Sequence, residues 1–299
     1  MNIYEKIKPE NQLDSKILQL ITEGSNENSN KDSVLNSTKR DLMAGEISKH
    51  FAINYMLPKH IVASHKRGII HIHDMDYYSN QMTNCCLVNL DDMLSNGTMI
   101  NEKLIESPTN LRTACTVATQ IVAQVASSQF GGQTISIAHL SPFVVKSREK
   151  LFDKFVNLPI NSGQLAKLVY DELRHEIRDS IQTVLYQINT LQTSNGQTPF
   201  LSIALDINEK PELIDETVML VEELLVQFKQ GLKNSDGVWI TPTFPKLLYI
   251  LDENNVHKDS QYYWLTQLAC ECVSRRMMPD FLSAKILREN YGDVVYPMG

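Results

Sequence analysis

Apolar positions recur near helical spacing between Arg40 and Lys66, at Leu42, Met43, Ile47, Phe51, Met56, Ile61 and Val62, with Pro58 interrupting the run. Two short helices are predicted there, since an interior proline removes a backbone donor and clashes with the preceding turn. Ile69-Ile70-His71-Ile72-His73 alternates and reads as a strand, and Cys85-Cys86-Leu87-Val88 is a short apolar run of the kind that makes a buried one. Ser107-Pro108 and Ser141-Pro142 each join a capping residue to a first-turn proline, a helix start. The helix predicted from Pro108 to Gln129 contains Ala114 to Val125, which is small, apolar and nearly uncharged on every side and so is expected to be buried all round. A long helix fits Gly163 to Leu191, a strand Phe200 to Ile207, an amphipathic helix Ile214 to Phe228, a strand Phe244 to Leu251 and a helix Trp264 to Cys272. Strands alternating with helices imply parallel strands joined by crossovers, so the fold class is α/β.

Composition narrows the function. The 299 residues carry a net charge of −7, with Lys and Arg scattered, so there is no basic footprint for nucleic acid. The N-terminus has no apolar signal region, and no apolar run approaches the roughly 20 residues that span a bilayer, so no membrane partner and a cytoplasmic location are expected. Five cysteines, an odd number without an export signal, argue for thiols rather than a disulfide framework. Residues 1–33 are rich in Asn, Ser, Glu and Lys and read as a loose polar arm, with residues 34–299 as one domain.

Several residues could carry chemistry. Cys85 and Cys86 on a strand point to opposite faces, so one could face a site, although two small core residues would look the same. His71 and His73 would share a strand face and could bind an anion, or be only histidines hydrogen-bonded at a strand end; no third ligand accompanies them, so metal is not expected. Ser194-Asn195-Gly196-Gln197-Thr198 is a turn cluster that as a bare pattern reads only as a loop, with small residues where backbone can come close to a ligand. Gly131-Gly132 is a weaker case of the same kind. Cys270 and Cys272 fall about 200° apart on a helix and are expected to be structural.

Seven segments occur together in order: NKDSVLNSTKRDLMAGEISKH from Asn30, GIIHIHDMDYY from Gly68, TNCCLVNL from Thr83, QVASSQFGG from Gln124, NTLQTSNGQTPF from Asn189, TPTFPKLLYIL from Thr241 and MMPDFLSAK from Met277, followed by Tyr296-Pro297-Met298-Gly299. With them the chain resembles the large subunit of anaerobic (class III) ribonucleoside-triphosphate reductase, a glycyl-radical enzyme. The resemblance implies the first half of a ten-stranded α/β barrel with an N-terminal helical segment, lacking the N-terminal ATP-binding domain and the C-terminal glycyl-radical domain. It makes Cys85 the second active-site thiol, with Met298 beside the radical cysteine expected at the next position after Gly299. His71, His73, Asn84 and Ser194 to Thr198 would line the substrate edge. Glu106 and Gln120 would meet a dNTP or ATP effector near the dimer helix, where Thr109 stands in place of a Lys common in relatives. Implied partners are a second copy, ribonucleoside-triphosphate substrates and a radical-SAM activase. The glycyl radical and zinc would belong to the part beyond this chain, and the reductant would be formate or, as in some relatives, a thioredoxin-type system. On this reading the segment alone binds without turning over. A nucleotide-binding or dimerising non-catalytic paralogue, or one half of a split reductase, fits the same residues. Another glycyl-radical enzyme, such as a formate-lyase relative, fits TNCCLV and SNGQTPF less well.

Overall fold

Helices form where apolar spacing is longest, and the strands between them are short. The computed structural model describes residues 7–25, 33–80, 83–129, 131–191, 193, 196 and 198–297. They divide into two compact units, one of Met1–Asn84, Ala126–Gly131 and Gln192–Thr198, the other of Cys85–Val125, Gly132–Leu191 and Pro199–Gly299.

The first unit is helical. Helix α1 (Gln12–Thr22) lies inside the stretch expected to be a loose arm; Asn11 caps it by accepting from the Asp14 N–H at 2.9 Å. It is tied to α2 (Asn36–Phe51) by Lys39, whose Nζ donates to the Ile21 carbonyl at 3.2 Å. One π-helical stretch, Ala52–Met56, ends α2 before Pro58, and α3 (Lys59–Lys66) follows, so the proline break falls where the sequence puts it. The strand expected over Ile69 to His73 does not form. Its backbone finishes α3 instead: Ile69 N–H bonds the Ser64 carbonyl at 3.0 Å, Ile72 N–H bonds His65 Nδ1 at 3.3 Å, and Ile69 is 61% exposed. Alternation is a weak strand signal when both faces are wet and the backbone groups are claimed by a helix end.

The second unit holds the sheet. In chain order come β1 (Cys86–Leu87), α4 (Leu90–Ser95), the hairpin β2 (Thr98–Ile100) and β3 (Lys103–Ile105), α5 (Leu111–Ala126), β4 (Gln133–Ser136), α6 (Ser141–Phe155), α7 (Ser162–Thr190) and β5 (Leu201–Leu205). Then follow α8 (Ile214–Gln230), the hairpin β6 (Leu232–Lys233) and β7 (Trp239–Ile240), β8 (Lys246–Leu251), α9 (Glu253–Val256), α10 (Tyr263–Arg276), β9 (Asp280–Ser283) and α11 (Ala284–Tyr291). Five strands pair in parallel in the order β1-β4-β5-β8-β9. One face of the sheet, carrying Ile135, Leu201, Ile203, Leu205, Leu247 and Tyr249, is sealed by the apolar stripes of the helices, Ile177, Ile181, Leu185 and Ile188 of α7 among them. Truncating any of these to Ala would cost roughly 2–5 kcal/mol.

Helix α5 corrects two expectations. It starts at Leu111, three residues after Pro108, because the Asn110 side chain accepts the Thr113 N–H at 2.8 Å and supplies the cap. It is also not buried all round: Ala114, Cys115, Ala118, Ile121 and Val122 are in the core, whereas Arg112, Thr113, Gln120 and Gln124 are exposed.

Candidate active site

Ligand sites in open parallel sheets gather at the carboxyl ends of the strands, and the densest buried polar network of the second unit lies there. Asp206 follows β5 directly, Ser136 ends β4, and His139 sits on the turn after it. Glu209 accepts from the Ser136 hydroxyl, and its other carboxylate oxygen lies 2.9 Å from His139 Nε2. The Tyr296 hydroxyl reaches both carboxylates, 3.0 Å from Glu209 Oε2 and 3.2 Å from Asp206 Oδ2. One residue on, the Pro297 carbonyl accepts from Thr134 Oγ1 at 2.7 Å.

The two carboxyls are driven apart. Burial pushes Asp206 up, helped by the charges of Glu209 and Asp252, against the Asn208 N–H and the Tyr296 hydroxyl. Burial also pushes Glu209 up, but bonds from His139 and Ser136 outweigh it and hold this carboxyl below its usual range. Burial and the neighbouring carboxylates raise the Tyr296 phenol well above its ordinary value. Nearby, Arg288 grips Asp252 at 3.1 and 2.7 Å and keeps that carboxyl low.

The cysteine pair divides as the pleat requires. Cys86 pairs with Gln133 of β4 and packs on the hydrophobic core; Leu87 pairs with Thr134. Paired residues of a parallel sheet share a face. Cys85, one residue before Cys86, therefore belongs to the Leu87 and Thr134 face, the one along which the tail runs. Cys85 is half-buried; Cys86 is pushed up by burial, then by the charge of Cys85. Cys115 and Cys272 are buried and pushed up to about 12 and about 11, mainly by burial, while Cys270 is exposed on the other side of α10.

Glu106 and Gln120 are both exposed, Gln120 on the wet stripe of α5. Two lysines of α6 reach the segment around Thr109. Lys146 Nζ donates to the Pro108 carbonyl at 3.2 Å and the Ser107 hydroxyl at 3.4 Å, and Lys150 Nζ to the Thr109 hydroxyl at 2.6 Å.

In the first unit, His71 and His73 are exposed on the bend after α3. Their rings meet edge to face at 6.1 Å, His65 lies 5.6 Å from His71, and His73 Nδ1 bonds Asp74. With Lys49, Asp74 and Asp76 the three histidines line a cavity of about 930 Å³. Asn84 is exposed and Thr198 half-buried. Gly196, with φ +73°, is closed in by α2: a Cβ there would stand 2.1 Å from Thr38 Oγ1, and Thr38 donates to the Gly196 carbonyl at 3.4 Å. Packing on Thr38 by itself demands a glycine at this position. Ser194, Asn195, Gln197 and Met298 lie outside the described residues. Among the described residues no cluster of three or more His, Cys, Asp or Glu could hold a metal, and no helix is long and apolar enough to cross a membrane.

Sequence reasoning missed Asp206, Glu209, His139 and Tyr296. The available signal was a pair of carboxylates three apart just past a strand buried on both faces.

A sequence model of the family described as anaerobic ribonucleoside-triphosphate reductase matches residues 27–299. The enzyme of that name from Enterobacteria phage T4 is 40% identical over 280 residues, covering 92% of this chain and 45% of the relative. The one from Escherichia coli is 38% identical over 281 residues, covering 92% of this chain and 38% of the relative. The crystal structure of the Thermotoga maritima anaerobic ribonucleotide reductase in complex with dATP and CTP superposes with a TM-score of 0.62 at 14% identity, covering 85% of this chain and 44% of that one. The chain thus spans less than half the length of these relatives, and the fold it shares with the solved structure is that of the reductase barrel.

Proposed function

The chain belongs to the anaerobic ribonucleoside-triphosphate reductase family, and from that premise we propose that it forms the substrate-facing first half of a radical reductase that turns ribonucleoside triphosphates into deoxyribonucleoside triphosphates. The observation that carries this reading is the register at β1. It packs a part-buried Cys86 against the core, and alternation then puts Cys85 on the face where Thr134 holds the Pro297 carbonyl. A cysteine following Gly299, as the family pattern has it, would then be delivered toward the Cys85 face. Cys85 is suited to pass a hydrogen atom to the ribose while its 2′-hydroxyl leaves, and afterwards to share the sulfur radical or a disulfide with that cysteine. The glycyl radical, held beyond this chain, would supply the thiyl radical on that cysteine for abstraction of the ribose 3′-hydrogen, with formate as reductant and a radical-SAM activase as partner.

His71, His73, Asn84 and the Ser194 to Thr198 loop remain the residues proposed for ribose and phosphate. Glu106 and Gln120 are proposed for a dNTP or ATP effector, with Lys146 and Lys150 providing the positive charge that Thr109 lacks. The exposed stripe of α5 is proposed as the homodimer contact. No residue here is assigned to zinc, and the location is proposed as cytoplasmic.

The test extends the chain through the family's downstream half and assays it anaerobically with activase, S-adenosylmethionine, formate and a ribonucleoside triphosphate. Cys85→Ser is expected to abolish deoxynucleotide formation, and Cys86→Ser to keep most of it. Equal loss from both, or loss from Cys86→Ser alone, would overturn the assignment.

A further inference from the structure

We propose that Tyr296 is a positioning residue, its phenol held between Asp206 and Glu209 so that the chain leaving it is fixed along the inner face of β4. The clamp stands on its own geometry; only the purpose given to it, presenting the following residues to the Cys85 face, rests on the reductase reading.

The anchors give the tail a direction. Tyr296 is bound at the level of Ser136, the last residue of β4, through Glu209, whereas Pro297 is bound at Thr134, two residues back along the same strand. Two strand residues are roughly 6.6 Å. Between these two anchors the tail is held from the carboxyl end of the sheet to the level at which Leu87 pairs with Thr134.

Counting protons shows what holds it. Glu209 Oε2 receives the Ser136 and Tyr296 hydroxyls, and its other oxygen faces His139 Nε2. The Tyr296 hydroxyl has one proton and cannot serve Asp206 fully as well. Asp206 already accepts the Asn208 N–H at 2.8 Å through Oδ1. The arrangement is complete when Asp206 Oδ2 carries a proton and donates it to the phenol oxygen, which agrees with the upward push that burial gives this carboxyl. The other charged groups bearing on Asp206 are Asp252, which raises it, and Arg288, which favours its ionised form and itself faces Asp293. Asp206 is raised in the folded chain, so the clamp is complete at low pH. It weakens as pH rises through the folded-state value and the two carboxylates come to face each other across the phenol.

The experiment is native-state thermolysin cleavage of the 299-residue chain at the bonds before Val294 and Val295. It is followed by intact mass across pH 6 to 9 and normalised to a peptide of the same tail sequence. The unaltered chain is expected to be cut slowly and faster as pH rises. Tyr296→Phe is expected to be cut about tenfold faster, the order of one buried charge-assisted hydrogen bond, with no pH trend. Asp206→Asn donates an N–H to the phenol and is expected to stay slow and flat with pH, whereas Asp206→Ala behaves as Tyr296→Phe. Tyr296→Phe cut at the parent rate, or Asp206→Asn cut as fast as Asp206→Ala, overturns the proposal. No turnover enters this readout, so its failure is separate from failure of the reductase reading.

Discussion

At the scale of residues, the cysteines show how far alternation can be trusted. The opposite facing of Cys85 and Cys86 was legible because a run of apolar residues needs only one buried partner strand to fix its pleat. The thiolate is the reactive form of cysteine, so alkylation should follow exposure and burial. Exposed Cys270 is expected to react first, half-buried Cys85 next, Cys86 more slowly, and Cys115 and Cys272 only on unfolding. Peptide mass mapping over a time course with iodoacetamide checks the order, and Cys115 reacting alongside Cys85 would contradict it. The His71 and His73 strand was misread because exposed alternation is equally the mark of a bend. The joining of Tyr296 to Asp206 and Glu209 was illegible because the tyrosine stands 90 and 87 residues from the two carboxylates and no local pattern joins them. A second charged pair gives a pH prediction. Arg288 lowers the Asp252 carboxyl, so this pair stabilises the fold above the ordinary aspartate range near 3.9 and the gain disappears as pH falls through the lower folded value. Arg288→Ala should cost about 1 kcal/mol at pH 7, discounted for the exposed guanidinium, and close to nothing near pH 2. Denaturant melts at both values measure this.

At the scale of elements, the long helices were legible, as were β1, β5 and β8, whereas β4, β9 and the two hairpins were not. Helix α7 came out within a residue or two of its predicted span because nine apolar positions and an Asn161–Gln164 capping box mark it. Strands β4 and β9 have only four residues each, and Gln133-Thr134-Ile135-Ser136 offers no period to read. β4 exists because β1 and β5 complete its ladders on both sides, and β9, an edge strand, because β8 completes its ladder on one. The burial of α5 changes which residues test association. Ala118 is 3% exposed and Ile121 1%, so a charge at either disrupts the chain's own core, at several kcal/mol for an unpaired buried ion. Ala118→Asp is expected to abolish the cooperative melt, while Gln120→Arg with Gln124→Arg should keep the melting temperature and weaken self-association. Thermal melts beside sedimentation velocity decide it: a folded monomeric Ala118→Asp would return the buried face to the interface.

At the scale of the whole molecule, the family pattern predicted half a barrel, and five parallel strands with β1 and β9 at the two edges fit that description. Unpaired edges are templates for association. With Leu87 and Phe281 part-exposed on the edge strands, the chain is expected to associate at micromolar concentration; sedimentation equilibrium showing a stable monomer would contradict this. The division into two units was not legible, because segments near residues 130 and 195 join the N-terminal helices only in three dimensions. The most direct measurement concerns the face to which the tail leads. A cysteine appended after Gly299, followed by mild oxidation and mass mapping of the disulfide-linked peptides, is expected to pair with Cys85 and not with Cys86. Pairing with Cys86, or no pairing with either while the chain remains folded, would contradict the placement of Cys85 on the reacting face.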